Sequence, residues 1–102
     1  MVHVIATIQL SVGVRGRFLE EFARIVPLVR AEDGCLEYGP TLDIPTGLSA
    51  QPPLREDVVV VVEKWRDLPA LEAHLAAPHM NEYRARVKSL VVGITLHVLG
   101  PA

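Results

Sequence analysis

Residues 58–80 read VVVVVEKWRDLPALEAHLAAPHM, and this stretch decides the fold. Val58 to Val62 are β-branched without interruption, the composition of a strand covered on both faces. The run delivers Trp65, the only tryptophan, at the point where strand gives way to loop. Leu68 to Ala77 then form a short Ala/Leu-rich helix carrying His74. Pro78 suits the first turn of the next helix, where its missing N–H costs no hydrogen bond. That helix is expected to run to about Leu90, with Met80, Tyr83, Val87 and Leu90 as its apolar stripe. Gly93 is expected to break it, and Ile94 to Leu99 to form the last strand.

Upstream, Val2 to Leu10 alternate as a strand. Val2, Val4, Ala6, Ile8 and Leu10 fall on one face, and His3, Ile5, Thr7 and Gln9 on the other. Gly13 and Gly16 mark a turn. Phe18, Phe22, Ile25, Val26 and Val29 recur at helical spacing, which predicts a helix over Arg17–Glu32. Pro27 inside that pattern predicts a kink. Gly34 is the natural helix stop, and a strand follows from Cys35 to about Leu42. Residues 43–56, DIPTGLSAQPPLRE, carry three prolines, one glycine and no period. They are expected to form an extended loop, mobile without ligand. Asp57 to Trp65 make the third strand.

The order βαββαβ, with its second helix split, specifies a ferredoxin-like α+β sandwich with an antiparallel sheet, one domain over 1–102. Helices cover only one face of such a sheet. Ile5 and the outward valines of strand three then need cover, and a second copy of the chain is the expected partner.

Composition narrows the function. A chain of 102 residues buries about two-thirds of its unfolded surface, enough for a core without staples. A net charge of −2 gives no electrostatic footprint for nucleic acid or an anionic membrane. Cys35 is alone, so no intrachain disulfide or cysteine metal site forms. The opening MVHVIATIQL reads as a strand, not a signal peptide, so a cytoplasmic setting is expected. The four histidines show neither His-x₃-His nor Glu-x-x-His spacing, and no carboxylate–histidine cluster is local. His3 and His97 are expected to face each other on adjacent strands, two ligands being too few for tight metal binding. No phosphate-binding glycine loop or nucleophile elbow is present, so no cofactor is implied.

Three elements in order carry a family resemblance: Gly34-Cys35-Leu36-Glu37-Tyr38 opening a strand, Glu63-Lys64-Trp65 closing the next, and Ala73-His74-Leu75 followed by Pro78-His79. Together they resemble the antibiotic biosynthesis monooxygenase family, whose members include small cofactor-free quinol monooxygenases. The resemblance spans nearly the whole chain. It implies a dimeric α+β barrel, a cavity between helices and sheet, and oxygenation of a quinol or polyphenol-type aromatic without metal or flavin. Haem-degrading relatives use an asparagine on the first strand and a histidine on the last long helix. Here the nearest positions hold Ala6 or Thr7 and Arg84, which argues against haem as substrate.

Several side chains have two readings. Trp65 is either a core aromatic or, as the resemblance implies, a flat wall for a substrate ring. Strand alternation places Glu63 on the same face as Val61 and Trp65. A carboxylate there either holds its proton, making it a possible base, or is satisfied by an arginine or a backbone N–H. His74, in the element the resemblance assigns to the cavity lining, and His79, at the start of the next helix, are candidate bases for a phenolic proton or structural histidines. Tyr38 and Tyr83 are candidate substrate contacts, Tyr38 either donating to a bound oxygen or capping the barrel end. Arg84 either reaches a polar substrate edge or is solvated. A non-catalytic dimeric binding protein using the same cavity is the rival function.

Overall fold

The computed structural model describes residues 1–102. It contains strand β1 (Val2–Leu10), helix α1 (Arg15–Arg30), strands β2 (Cys35–Thr41) and β3 (Val58–Trp65), helices α2 (Leu68–Leu75) and α3 (Pro78–Val87), and strand β4 (Val91–Leu99). The strands form one antiparallel sheet in the order β2-β3-β1-β4, the arrangement produced by two interleaved β-α-β units. Central β1 pairs with both β3 and β4, so Ile5 stands between Val62 and His97.

The core lies between the sheet and its helices. On β1 the even positions Val4, Ala6, Ile8 and Leu10 are buried, and on α1 the stripe Phe18, Phe22, Ile25 and Val29 packs onto them. The valine run of β3 is one-sided within the single chain. Val59 and Val61 are buried toward the helices, while Val58, Val60 and Val62 are half-buried on the open face beside Ile5. β4 extends beyond the helical layer. Its helix-side residues Ile94, Leu96 and Val98 are 61%, 44% and 50% exposed, because no helix packs over that edge.

Three local expectations need correction. Helix α1 begins at Arg15, so Gly16 is helical and only Gly13, at φ +82°, forms the turn. The helix runs on through Pro27, whose ring faces solvent, as does Ala23, the residue whose carbonyl loses its partner. Gly93 does not end α3. That helix stops at Val87, β4 starts at Val91, and Gly93 lies inside the strand beside a register shift opposite Gln9–Leu10. A side chain at Gly93 would meet Gln9 Oε1 at 3.3 Å. His3 pairs with Leu99 and His97 with Ile5, so the two histidines are diagonal and do not face each other.

The 43–56 connection is tied at its base. Arg55 donates from Nε and Nη2 to the two Asp43 oxygens at 2.9 and 2.8 Å, and Leu48 and Ile44 at its tip are exposed.

Gly34 fixes how β2 leaves α1. Its φ of +84° is left-handed, and an added Cβ would lie 2.6 Å from Ala70 Cβ on α2. Gly13 has a similar φ in open space. Gly34→Ala should therefore destabilise the fold by about 2–4 kcal/mol, combining backbone strain with a core clash. Gly13→Ala should cost only the backbone part, about 1 kcal/mol. Denaturant unfolding of both variants checks this, and equal losses would contradict the close packing of Gly34 on Ala70.

Candidate functional site

The side chains of interest are brought together by the ends of four elements. β3 alternation carries Val61, Glu63 and Trp65 into the core side by side, and the register sets Glu63 between Tyr38 of β2 and Val4 of β1. α2 starts where Asp67 Oδ1 accepts from the Ala70 N–H at 3.0 Å. It stops before Pro78, and Arg84 Nη2 donates to the Leu75 carbonyl at its end, 2.8 Å away. This sharp joint places His74, in the last turn of α2, near His79, in the first turn of α3.

Both histidines converge on one carboxylate, Glu32. Its Oε2 lies 2.9 Å from His74 Nδ1 and 2.8 Å from His79 Nε2. His74 Nε2 lies 4.0 Å from Glu63 Oε1, and that same oxygen accepts from Trp65 Nε1 at 2.9 Å. The His74 ring also packs on the Trp65 indole, centroids 4.6 Å apart, and edge-on against Tyr38 at 5.4 Å. A carboxylate–histidine cluster thus exists in space that sequence spacing did not reveal. No group of three or more His, Cys, Asp or Glu side chains in it is arranged to hold a metal ion.

Beside this cluster opens a cavity of about 450 Å³, within the range of small-molecule sites. Its walls are mainly apolar and aromatic, including Ile8, Phe22, Val61, Met80 and Val87, with Ile94 and Leu96 of β4 along one side. Of the candidate residues, Tyr38, Glu63, His74, Tyr83 and Arg84 line it. Trp65 and His79 do not. Trp65 is fully buried behind Glu63 and His74 and does not line the cavity, so of its two readings the core aromatic fits, and it supports the polar pair from the rear. The ring surfaces offered to a ligand belong instead to Phe22, Tyr38 and Tyr83, which pack on one another through Phe22. Arg84, bound to Leu75 O and Asn81 Oδ1, stands at the rim.

Burial sets the charges. Removal from water pushes Glu63 up to about 7, against the pull of the Trp65 N–H, and the charge of Glu32 adds to the rise. Burial lowers His74, with Glu32 opposing, so its imidazole is neutral at neutral pH. Burial chiefly, and then the charge of Glu63, pushes the Tyr38 phenol up; burial alone does so for Tyr83. Neither phenol ionises at neutral pH. Of the two fates expected for Glu63, the raised proton affinity fits the first; the partner named in the second is different, an indole N–H in place of an arginine or a backbone group.

Glu32 was not singled out from the sequence. One signal was available, because Glu32 and Asp33 follow the C-terminus of α1, where the helix dipole disfavours negative charge. Each carboxylate needs a partner from elsewhere in the fold. Asp33 finds Arg66, both contacts at 3.1 Å, and Glu32 finds the two histidines.

The family model for antibiotic biosynthesis monooxygenase matches residues 1–86. The chain belongs to the antibiotic biosynthesis monooxygenase family. Its similarity to the probable quinol monooxygenase YgiN of Escherichia coli (strain K12) reaches 40% identity, covering 99% of this chain and 98% of that relative. Two solved structures share this family fold closely. PA3566 from Pseudomonas aeruginosa superposes with a TM-score of 0.80 at 26% identity, covering 99% of this chain and 93% of that one. Rv0793 from Mycobacterium tuberculosis gives 0.79 at 27%, covering 99% and 94%. The four-stranded antiparallel sheet with three helices is thus a family feature.

Glu63→Gln tests the electrostatics. Glu63 titrates near 4.5 when unfolded and near 7 when folded, so the fold prefers its protonated form. The stability this contributes is full below about pH 4.5 and lost as pH rises through 7. Its total size is about 3 kcal/mol. His74 acts in the opposite sense, its contribution lost as the solution becomes acid. The amide of the variant would keep an acceptor for Trp65 without titrating. The wild-type minus variant difference in unfolding free energy should therefore fall by about 3 kcal/mol between pH 4.5 and 7. Parallel stability curves would return Glu63 to the ordinary carboxylate range.

Proposed function

We propose that this protein is a cofactor-independent monooxygenase that oxidises a quinol or polyphenol-type aromatic with dioxygen. The observation that carries this reading is Glu63, a carboxylate held near neutrality on the wall of an apolar, aromatic cavity beside a neutral imidazole. An apolar cavity favours a planar ring, and a base titrating near the operating pH suits removal of a phenolic proton. Family membership and the similarity to YgiN support the same chemistry.

In this mechanism the ring enters between Phe22, Tyr38 and Tyr83, and Glu63 accepts the proton of the quinol hydroxyl. The resulting quinolate gives one electron to dioxygen, a step allowed by spin, which a concerted two-electron reaction is not. The semiquinone and superoxide then combine to form a C–O bond. Cleavage of the O–O bond leaves one oxygen atom on the ring as a hydroxyquinone and releases the other as water. The four electrons lost by the hydroquinone are the four gained by dioxygen, so no external reductant is consumed. The chain's contribution is to bind the ring, take the proton and keep water from the radical pair. Tyr38 and Tyr83, protonated throughout, are donors for the substrate or product oxygens, and Arg84 attracts a polar substituent at the rim.

We further propose that the working form is a homodimer, joined through the open sheet face into a dimeric α+β barrel. Ile5, Val60 and Val62 on that face are half-buried, and on the helix side of the sheet Ile94, Leu96 and Val98 of β4 are uncovered, so both faces of that edge offer apolar surface to a second copy. Sedimentation should give a dimer at micromolar concentration; a stable monomer would contradict this.

Oxygen uptake with a panel of quinols tests the activity. Turnover should need no added metal or flavin and should survive EDTA. With Glu63 as the base, the rate should rise with pH through about 7 once the non-enzymatic blank is subtracted at each point. Glu63→Gln should lower kcat by about 10²–10⁴-fold while quinol binding is retained. Saturable binding without oxygen uptake would favour a non-catalytic binding protein. An unchanged kcat in Glu63→Gln would remove Glu63 from the mechanism.

A further inference from the structure

A base enclosed on both sides must lose the proton it gains before it can act again. When an aromatic ring fills the cavity, apolar surface blocks the way back through the mouth. A series of polar contacts also leads from Glu63 away from the cavity. Side-chain exposure runs from 7% at Glu63 and 1% at His74 to 14% at Glu32 and 23% at His79. These four groups lie in one contact series: Glu63 Oε1 to His74 Nε2 at 4.0 Å, His74 Nδ1 to Glu32 Oε2 at 2.9 Å, and Glu32 Oε2 to His79 Nε2 at 2.8 Å.

We propose that His74, Glu32 and His79 form a proton-exit path that carries the proton from Glu63 to solvent on the side away from the cavity. The proposal rests on the reading of Glu63 as the base and adds Glu32 and His79 as groups that never touch substrate. Glu32 is a positioning residue as well. By engaging Nδ1 it leaves Nε2 of His74 as the nitrogen nearest Glu63.

Each transfer conserves charge. The Glu63 O–H bond breaks as a bond forms to His74 Nε2, and the Nδ1 proton of His74 passes to Glu32 Oε2. His79 then takes the proton on Nε2 and, being at the surface, releases one from Nδ1 to water. Exchange with water resets the His79 tautomer, and a 180° flip of the His74 ring, which now carries its proton on Nε2, returns an N–H to Glu32 and a bare nitrogen to Glu63. The net change is one proton moved, with Glu63 and Glu32 again carboxylates and both imidazoles neutral. Besides that flip the first contact needs motion, since 4.0 Å is about 1 Å longer than a hydrogen bond. The titratable and charged groups facing His74 are Tyr38 on β2, Glu63 on β3, Glu32 after α1, and His79 and Arg84 on α3. Of these, Tyr38 is kept protonated at neutral pH by its burial.

Trp65 provides a reporter that needs neither quinol nor oxygen. It is the only tryptophan, hydrogen-bonded to Glu63 and packed at a tilt on the His74 ring, so a change of charge on either group should alter its emission. The test is a stopped-flow jump from about pH 6 to about pH 8, followed by Trp65 fluorescence. Cyclohexane-1,4-diol, transparent and not oxidised under these conditions, is added to fill the cavity. Wild-type protein should relax fast. His79→Ala, at a half-exposed position, and Glu32→Gln should each relax about tenfold slower or more, with added imidazole restoring the His79→Ala rate. Equal rates in all three proteins would overturn the path. So would slowing that imidazole fails to reverse, which would make His79 a structural support. Failure of quinol turnover would count against the proposed activity and leave this result standing.

Discussion

The constraint from which the site follows is the period of two along β3. Once Val59, Val61 and Trp65 point into the core, the residue between Val61 and Trp65 on the same face must go with them, and that residue is Glu63. A carboxylate cannot be buried without compensation. Here the compensation is partial. One indole N–H is donated to it, a neutral imidazole lies nearby, and the remaining cost appears as a raised affinity for a proton. The cavity beside Glu63 follows from the same geometry. Helices α2 and α3 are short and meet at a sharp joint, so they do not close over the sheet between Glu63 and the outer strand.

Much of the architecture was legible because periodicity and punctuation agree. The strand and helix stripes of β1, α1, β3 and α3 are regular, and Gly34 and Pro78 mark the end of α1 and the start of α3 through local chemistry. The errors came where a residue has two uses. Gly93 is a good helix breaker, yet here it accommodates Gln9 across a register shift.

The site was half legible for a related reason. Glu63, Tyr38, His74, Tyr83 and Arg84 are each visible as chemistry-bearing residues on predictable faces, and all five line one cavity. What the sequence hides is which of them meet. Glu32 precedes His74 by 42 positions and joins it only because Gly34 lets β2 leave α1 tightly against Ala70. Trp65 shows the opposite limit. Its type suggests a ring-stacking surface, but its position, directly behind two polar groups, turns it into their support.

The uncovered edge of β4 has a consequence for how the chain must live in solution. VVGITLHVL offers a nine-residue strand with one free edge and neither a proline nor a permanently charged side chain. These are the devices by which sheet proteins discourage strand addition. Only the irregularity near Val92 and the flexible Gly93 interrupt the template. An unpaired copy therefore carries an aggregation hazard at the same edge that bounds the cavity, and whatever covers that edge protects the chain from uncontrolled self-pairing while it walls the site.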